Sequence, residues 1–412
     1  MPSPAAPPPE IAAPRFAAAS LIAVVFINML GFGIIVPLLP FYAKSFDAPA
    51  WQMALIFSAY SVGAFFGEPF WGRLSDRYGR KPILISTITA NGLCYLCLAF
   101  APNIGMAFLI RLLGGLAAGN GAVIQGYIAD VTPIEKRARQ LSHQGAAWNV
   151  GLIVGPSIGG LFAHTGIGPA GFRIPLFIAS GLAFLCVAAV ILVIRESRIR
   201  ETSFSHRASR WAALGEALRH PVIGRLILLT FLVGFAFTGI ESVFGLWAQA
   251  RFDWTPRNIG FAFACVGVCA FVSQTLLTGR LSERYGAGPM LAVGMAMAAV
   301  SMLLQTVSTG GAMTTALMCL SAVGTSVAFP NVGALISGAA DPHRQGQIMG
   351  LNNAAGALAR VLGPLSAGLI FARVIDGPFI LGAAVVAPAI LLALSASRRA
   401  RPDPATGDST VR

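Results

Sequence analysis

The chain has 412 residues, of which 56% are hydrophobic and 11% are charged, and its net charge is +13. This apolar fraction excludes an ordinary soluble globular protein and indicates a protein that uses lipid as its solvent. The sequence contains no basic nucleic-acid-binding module, so we attribute the positive charge to membrane topology and anionic lipid, and we predict no nucleic-acid partner.

Twelve hydrophobic segments of about 20 residues, the length that spans a bilayer core, follow one another along the chain. We number them segments 1 to 12. In the first half they lie near 16–43, 51–72, 82–100, 104–129, 139–163 and 172–194. In the second half they lie near 221–250, 256–280, 289–308, 311–337, 346–372 and 376–397. The sequence therefore predicts an all-α integral membrane protein with twelve transmembrane helices.

Polar stretches divide the chain into two bundles of six segments, a connecting loop and two tails. The N-terminal tail, 1–15, has no basic stretch and no cleavage site of the kind found in signal peptides. We place the bundles at 16–194 and 221–397, the loop at 195–220 and the C-terminal tail at 398–412. Lys and Arg concentrate on the side of the tails and the loop, which predicts that both termini are cytoplasmic.

One motif occurs twice, each time after the second segment of its half. Residues 72–82 read Gly-Arg-Leu-Ser-Asp-Arg-Tyr-Gly-Arg-Lys-Pro, and residues 279–289 read Gly-Arg-Leu-Ser-Glu-Arg-Tyr-Gly-Ala-Gly-Pro. The chain is therefore a duplicated membrane protein. The motif resembles the loop signature of the major facilitator superfamily, whose halves are parallel repeats. This resemblance implies two pseudo-symmetric six-helix bundles, with segments 1, 4, 7 and 10 around a central cavity.

In that superfamily the loop is understood as a conformational latch, and the resemblance implies the same role here. Asp76 is expected to face the positive N-terminal end of a helix in the other half, near Gly346, while arginines compensate nearby acids. The predicted latch residues are Gly72, Asp76, Arg77, Gly79 and Arg80, with Gly279, Glu283 and Arg284 in the second copy.

Segment 5 carries a glycine-rich element at 151–160 that resembles the Gly-x-x-x-Gly-Pro-x-x-Gly-Gly motif typical of antiporters in the superfamily. Its glycines predict a smooth surface for close helix packing, and its proline predicts a bend. The motif residues are Gly151, Gly155, Pro156, Gly159 and Gly160. Ordinary small-residue packing is the alternative interpretation, and Gly363-Pro364 in segment 11 is a degenerate second copy.

Charged side chains within the segments are costly in lipid and require partners. Arg111, in a sequence similar to the superfamily's fourth-helix arginine motif, and Glu241 in segment 7 lie at similar depth, so we predict that they meet across the cavity. Our hypothesis is that Glu241 releases a proton to the cytoplasm, is reprotonated from outside and exchanges between Arg111 and substrate. A static ion pair is the alternative. Glu68 is either a second proton site or an acid paired with a latch arginine, and the sequence assigns no partner to Arg360.

Polar and aromatic side chains on the segments around the predicted cavity are candidate substrate ligands, although packing is the favoured interpretation of each one taken alone. They are Asn28, Asn120, Gln125, Trp148, Asn149, Phe244, Trp247, Gln274 and Asn331.

The sequence indicates no cofactor and no enzymatic activity. All six cysteines fall inside segments and are interpreted as packing residues rather than disulfides or metal ligands. No phosphate-binding Gly-x-x-x-x-Gly-Lys-Ser/Thr loop and no clustered catalytic set is found, so we expect a proton gradient rather than ATP to drive the protein.

From about residue 20 to residue 395 the chain looks like the tetracycline and multidrug proton antiporter branch of the superfamily. Residues 31–40 and 130–139 also fit that branch, but similar tetracycline exporters carry an acid at the position of Asn28. The resemblance implies a monomeric, proton-coupled exporter of an amphiphilic drug or similar small molecule, surrounded by lipid of the bacterial inner membrane. A proton symporter or facilitator for a small metabolite is the alternative.

Overall fold

The computed structural model of the protein describes residues 17–132, 134–197, 222–339 and 345–399. Within these ranges twelve helical spans are long and apolar enough to cross a membrane, which confirms the predicted all-α membrane fold. The predicted N-terminal tail lies outside the described residues, as do nearly all of the C-terminal tail and most of the central loop.

Several spans are assembled from consecutive helical pieces. Segment 1 is Ala17–Ile35, a 3₁₀ turn at Val36–Leu38 and Leu39–Lys44; segment 2 is Ala50–Tyr78; segment 3 is Arg80–Leu98; segment 4 is Ile104–Leu116 and Asn120–Val131; segment 5 is Ile134–Phe162; segment 6 is Arg173–Val193 after a 3₁₀ stretch at Thr165–Phe172. In the second half, segment 7 is Ile223–Phe252; segment 8 is Pro256–Val272, a π-helix at Ser273–Thr278 and Gly279–Tyr285; segment 9 is Ala287–Gln305; segment 10 is Gly311–Ala339; segment 11 is Gln345–Phe371; segment 12 is Gly377–Arg399.

The repeated motif is mostly helical rather than a loop. Segment 2 continues to Tyr78 instead of ending near residue 72, and segment 3 begins at Arg80. The turn is one residue, Gly79, with φ 101° and ψ 157°, and its counterpart Gly286 has φ 87° and ψ 153°. Only glycine adopts this positive φ without strain. The two copies therefore share one backbone conformation, as a structural duplication requires.

The same helix pairings recur in both halves. Segment 1 packs on segments 5 and 6, and segment 7 packs correspondingly on segments 11 and 12. At the first of these contacts the glycines of segment 5 meet segment 1 directly: a Cβ atom at Gly155 would lie 2.6 Å from the carbonyl carbon of Gly33. Gly363 of segment 11 meets the backbone of Phe235 in the same way, so the degenerate copy performs the same packing.

The two halves touch through segments 5 and 8 and through segments 2 and 11. On the side of the bundle opposite the chain termini, one apolar core contains residues of both halves, such as Ile34, Trp247 and Ile259. Toward the termini each half has a separate core. A hydrogen bond of 2.8 Å from Lys44 Nζ to Gln249 Oε1 also joins the halves on the side away from the termini. The seam between the halves is therefore closed on that side.

Substituting Gly155→Leu should prevent the approach of segments 1 and 5, because its side chain has no room beside Gly33. We expect destabilisation on the order of 3 kcal/mol, as in other overpacked contacts, measured as a lower Tm of the purified protein in detergent. Gly145→Leu lies in the same helix, where the described residues of other helices place no atom within 4 Å of its Cβ position; it is the matched control and should leave Tm unchanged. Equal Tm values for the two variants would contradict this packing role.

Candidate functional site

A cavity of about 370 Å³ lies inside the bundle, mainly against the second half. Segments 7, 8, 9, 10 and 12 line it, together with segments 1 and 5 of the first half. Its wall is mostly apolar, and its aromatic members are Phe237, Phe244, Phe263, Phe329 and Phe379. A space of this volume and lining fits one drug-sized molecule.

Glu241 gives this apolar cavity its charge. Among the described residues that line the cavity it is the one acid, and none of them is basic. Segment 7 presents it on the same helix face as Phe237 and Phe244, because residues three or four apart share a face. No charged group in the described part of the chain acts on its carboxylate. The cavity therefore combines an apolar surface with one unbalanced negative charge whenever Glu241 is ionised.

Gln274, a candidate ligand from the sequence, lines the cavity from the π-helix of segment 8. Such a turn holds one extra residue and changes the direction of the side chains that follow it. The hydroxyl of Thr278 stabilises the turn by donating to the carbonyl oxygens of Ser273, at 3.2 Å, and of Ser326 on segment 10, at 3.3 Å. The irregular turn is thus anchored to its neighbour beside the cavity.

Gln305, at the last residue of segment 9, is a cavity residue that the sequence analysis missed. It is 3% exposed, and its Nε2 donates to the carbonyl oxygen of Thr314 at 3.1 Å. Its Oε1 has no hydrogen-bond partner in the described part of the chain. A glutamine at a helix end resembles an ordinary interfacial residue, so the sequence carried no signal for this position.

Arg111 lies in the first half, away from this cavity. Its guanidinium is buried, with Cζ 4.5 Å from the ring centroid of Tyr60, and Tyr95 also lies near it. Its Nε–H has no acceptor among the described residues. The structure does not bring Arg111 and Glu241 together in this conformation. Similar depth along two helices does not specify the direction in which each side chain points.

Glu68 and Arg360 form an electrostatic pair across the seam between segments 2 and 11. Arg360 is the cation that acts on Glu68, and both side chains are exposed. The structure therefore supplies the partner of Arg360 that the sequence left unassigned. The sequence offered a latch arginine as the partner of Glu68. In the structure its partner is instead Arg360 of the opposite half.

The other candidate ligands occupy different places, and of the predicted set only Phe244 and Gln274 line the described cavity. Asn120 Nδ2 donates to Asn28 Oδ1 at 2.8 Å, so one hydrogen bond joins these amides between segments 4 and 1. Asn331 donates to its own helix, and the indole of Trp247 donates to Asp376 at 2.7 Å. Gln125 is exposed. The side chains of Trp148 and Asn149 lie outside what the structure describes.

The first copy of the repeated motif holds a buried guanidinium clamp. Arg80 binds Asp76 at 2.8 Å, Asp130 at 3.0 Å and the hydroxyl of Ser75 at 2.6 Å. Glu196, after segment 6, accepts hydrogen bonds from the backbone N–H groups of Arg80 and Lys81 at 2.8 and 3.1 Å. The carboxylate of Glu196 thereby satisfies two free donors at the start of segment 3. The clamp thus joins segments 2, 3 and 4 to the end of segment 6.

The second copy retains the arginine that corresponds to Arg77, but it lacks the clamp. Arg284 stacks on Tyr285 with Cζ 5.4 Å from the ring centroid, as Arg77 does on Tyr78 at 5.3 Å. Ala287 occupies the position that corresponds to Arg80, so no guanidinium is available there. The predicted contact of Asp76 with the helix near Gly346 stays a prediction, because the side chains at the start of segment 11 lie outside the described set.

Two repeated six-helix halves that enclose one apolar, acidic cavity define a membrane transporter for small molecules. A family model of the Major Facilitator Superfamily matches residues 21–273 and again residues 226–411. The chain belongs to this superfamily.

Curated relatives are drug-resistance proteins. The chain is 27% identical to Multidrug resistance protein 2 of Bacillus subtilis, over 87% of this chain and 90% of the relative. It is 26% identical to the class H tetracycline resistance protein of Pasteurella multocida, over 93% and 96%. It is 24% identical to the quinolone resistance protein NorA of Staphylococcus aureus, over 90% and 94%.

Solved structures share the fold. The human organic anion transporter MFSD10 (TETRAN) has a TM-score of 0.70 and 21% identity, with 94% of this chain and 100% of that chain covered. An inward-facing, unoccupied bacterial homologue of the human lysosomal transporter Spinster has a TM-score of 0.76 and 15% identity, with 94% and 98% covered.

Arg80→Gln should destabilise the first half, because it leaves Asp76 and Asp130 without their shared cation. With Asp76 partly exposed to solvent, we expect a loss of about 2 kcal/mol, or a fall in Tm of roughly 5 °C in detergent. Arg77→Gln removes an exposed arginine of the same motif and should leave Tm close to wild type. A wild-type Tm for Arg80→Gln would rule out the clamp as a stabilising element.

Proposed function

We propose that the protein is a proton-coupled antiporter that exports amphiphilic, weakly basic small molecules across the bacterial inner membrane. The observation that carries this proposal is Glu241, the one acid among the described residues of an apolar cavity without basic lining residues. A bound cation would be attracted by its carboxylate, and a proton that replaces the cation would neutralise it. The same group therefore couples substrate and proton by competition.

Exchange, rather than uptake, is favoured by two features. The glycine-rich element of segment 5 resembles the motif of antiporters, and its glycines pack against segment 1 beside the cavity. The relatives are named for resistance to several drugs, to tetracycline and to quinolones. Because Asn28 stands where similar tetracycline exporters carry an acid, we do not propose tetracycline itself as the substrate.

The transport cycle follows from the proposed orientation. With both termini in the cytoplasm, the side on which the halves share one core faces outward, so this conformation would receive substrate from the cytoplasm. When the halves rock, Glu241 would release its substrate outside, take up a proton and return it to the cytoplasm. Arg111 would be a partner for Glu241 in another conformation of the cycle, and Glu68, opposite Arg360, would be a second proton site.

The remaining features of the proposal concern assembly and gating. Two complete halves enclose the cavity, so a monomer suffices for transport. The first copy of the repeated motif would act as the latch that holds the cytoplasmic side closed in the outward-facing state, with Asp76 facing segment 11.

Proton flux tests the proposed coupling. In proteoliposomes with an imposed pH gradient, lipophilic amines should trigger proton movement in wild type, and Glu241→Gln should reduce that movement at least about tenfold because the exchangeable charge is lost. Asp253→Asn, outside the cavity at the end of the same helix, is the matched control and should behave as wild type.

The outcomes separate the two transport classes. If no amine moves protons but a small metabolite is transported, a symporter or facilitator replaces the exporter. If amines move protons equally in wild type and Glu241→Gln, the exporter remains and the assigned coupling residue is wrong.

The latch makes a separate prediction. Asp76→Asn keeps the size of the side chain but removes the charge that would face segment 11, so we expect transport to fall several-fold while the protein stays folded. Transport assays with an unchanged size-exclusion profile measure this. A wild-type transport rate would remove the latch assignment.

A further inference from the structure

The seam between segments 2 and 11 is joined at one level by a buried hydrogen bond. The hydroxyl of Ser58 on segment 2 donates to the carbonyl oxygen of Val361 on segment 11 at 3.0 Å. Ser58 is 1% exposed, so other side chains cover this contact. Segment 2 begins at Ala50 on the side opposite the chain termini, and Ser58 is near that beginning. The two helices are therefore held together in the part of the seam that lies away from the termini.

Glu68 and Arg360 face each other on the other side of this hydrogen bond, toward the chain termini. Glu68 follows Ser58 by ten residues, or about 15 Å of helix. The side chain of Arg360 extends in the same direction, because its Nη1 lies 3.8 Å from the Cβ position of Gly356, one turn earlier on segment 11. Side chains lean toward the N-terminus of their helix, and these two helices are antiparallel. Glu68 and Arg360 therefore lean toward each other.

The two charges attract each other without being in contact. Arg360 is the one described charged group that acts on Glu68. The described ion pairs within 4 Å include neither residue. Both side chains are exposed, although each lies well inside a membrane span. A charge at such depth requires water or a partner, so the pair is open to solvent in this conformation rather than closed on itself.

A rocking motion of the halves would bring this pair together. The halves share one core on the side opposite the termini and have separate cores toward the termini. When the cavity turns to the other side of the membrane, the ends that are now apart must approach each other. Segments 2 and 11 then close in the part of the seam that contains Glu68 and Arg360.

We propose that Glu68 and Arg360 form an ion pair between the halves when the cavity faces outward, and that this pair holds the cytoplasmic part of the seam closed. The inference rests on the proposed transport cycle and adds a gate that lies deeper in the membrane than the latch at Asp76. Both charges regain water when the seam opens, so breaking the pair does not leave a charge buried without a partner. The gate can therefore reopen in each cycle.

Labelling of a cysteine on the opposite side of the bundle reports how often the protein faces outward. Phe41 is 2% exposed, and its ring lies 3.0 Å from the Cβ position of Gly245 on the other half. In a Phe41→Cys variant, a permanently charged methanethiosulfonate reaches this position only while that side is open. The purified full-length protein is labelled in lipid nanodiscs. Mass spectrometry of the modified peptide gives the rate at this position separately from those of the six native cysteines.

Charge reversal in the Phe41→Cys background tests the pair. Glu68→Arg places two cations at the closed seam and Arg360→Glu places two acids there, so each should slow the labelling about tenfold. The double variant restores opposite charges and should label within about twofold of the background. Glu68→Gln and Arg360→Gln, which disturb folding less, should each slow the labelling about threefold. Arg373→Glu, beyond the end of segment 11, is the control and should label at the background rate.

The outcomes separate this gate from the proposed export. Unchanged labelling in the folded Glu68 and Arg360 variants would overturn the gate, and so would slow labelling that the double variant does not restore. Because the assay contains no substrate, normal proton flux together with unchanged labelling removes the gate alone. A failed export assay with the expected labelling pattern leaves the gate in place. If Phe41→Cys alone is never labelled, the proposed cycle fails and the gate fails with it.

Discussion

The constraint on which this structure depends is that lipid offers no hydrogen bonds to the backbone, so each span must satisfy its own N–H and C=O groups. That requirement makes the twelve spans helical, and the interruptions then need local remedies. Where segment 4 breaks after Leu116, the indole of Trp71 donates to the freed carbonyl oxygen at 2.7 Å. Where segment 8 widens into a π-helix, Thr278 stabilises the turn. Each interruption is thus hydrogen-bonded to a neighbouring helix, and at segment 8 the π-helix places Gln274 in the cavity.

Charge in the membrane interior follows the same logic, because each ionised group must be compensated or kept in contact with water. Arg111 is compensated in part by the aromatic ring of Tyr60, and Glu68 by Arg360 across the seam. Glu241 has no such partner in the described chain. An uncompensated acid in an apolar cavity is stable as a neutral group or with a bound cation. The difference between Glu241 and the other charges within the spans is therefore what makes it the strongest candidate for exchange.

The sequence predicted the fold well because bilayer thickness sets helix length and the duplicated motif sets the two halves. It predicted positions along helices but not directions around them. Arg111 and Glu241 have similar depth yet point to different places, and Asn28 and Asn120 bind each other instead of lining the cavity. The repeated motif was expected to be a loop, whereas its polar residues continue segment 2 and leave Gly79 alone as the turn. Gln305 was missed because its place in the cavity wall depends on how the helices pack, which only the structure reveals.

The two halves have the same topology but differ in the charged contacts of the repeated motif. Contacts of Arg80 with Asp76, Asp130 and Glu196 tie segments 2, 3 and 4 of the first half to the end of segment 6. In the second half Ala287 stands in place of the corresponding cation. Most of the cavity wall, including Glu241, Gln274 and Gln305, belongs to the half without the clamp. The duplication therefore left the buried cation of the motif in one half and most of the cavity wall in the other.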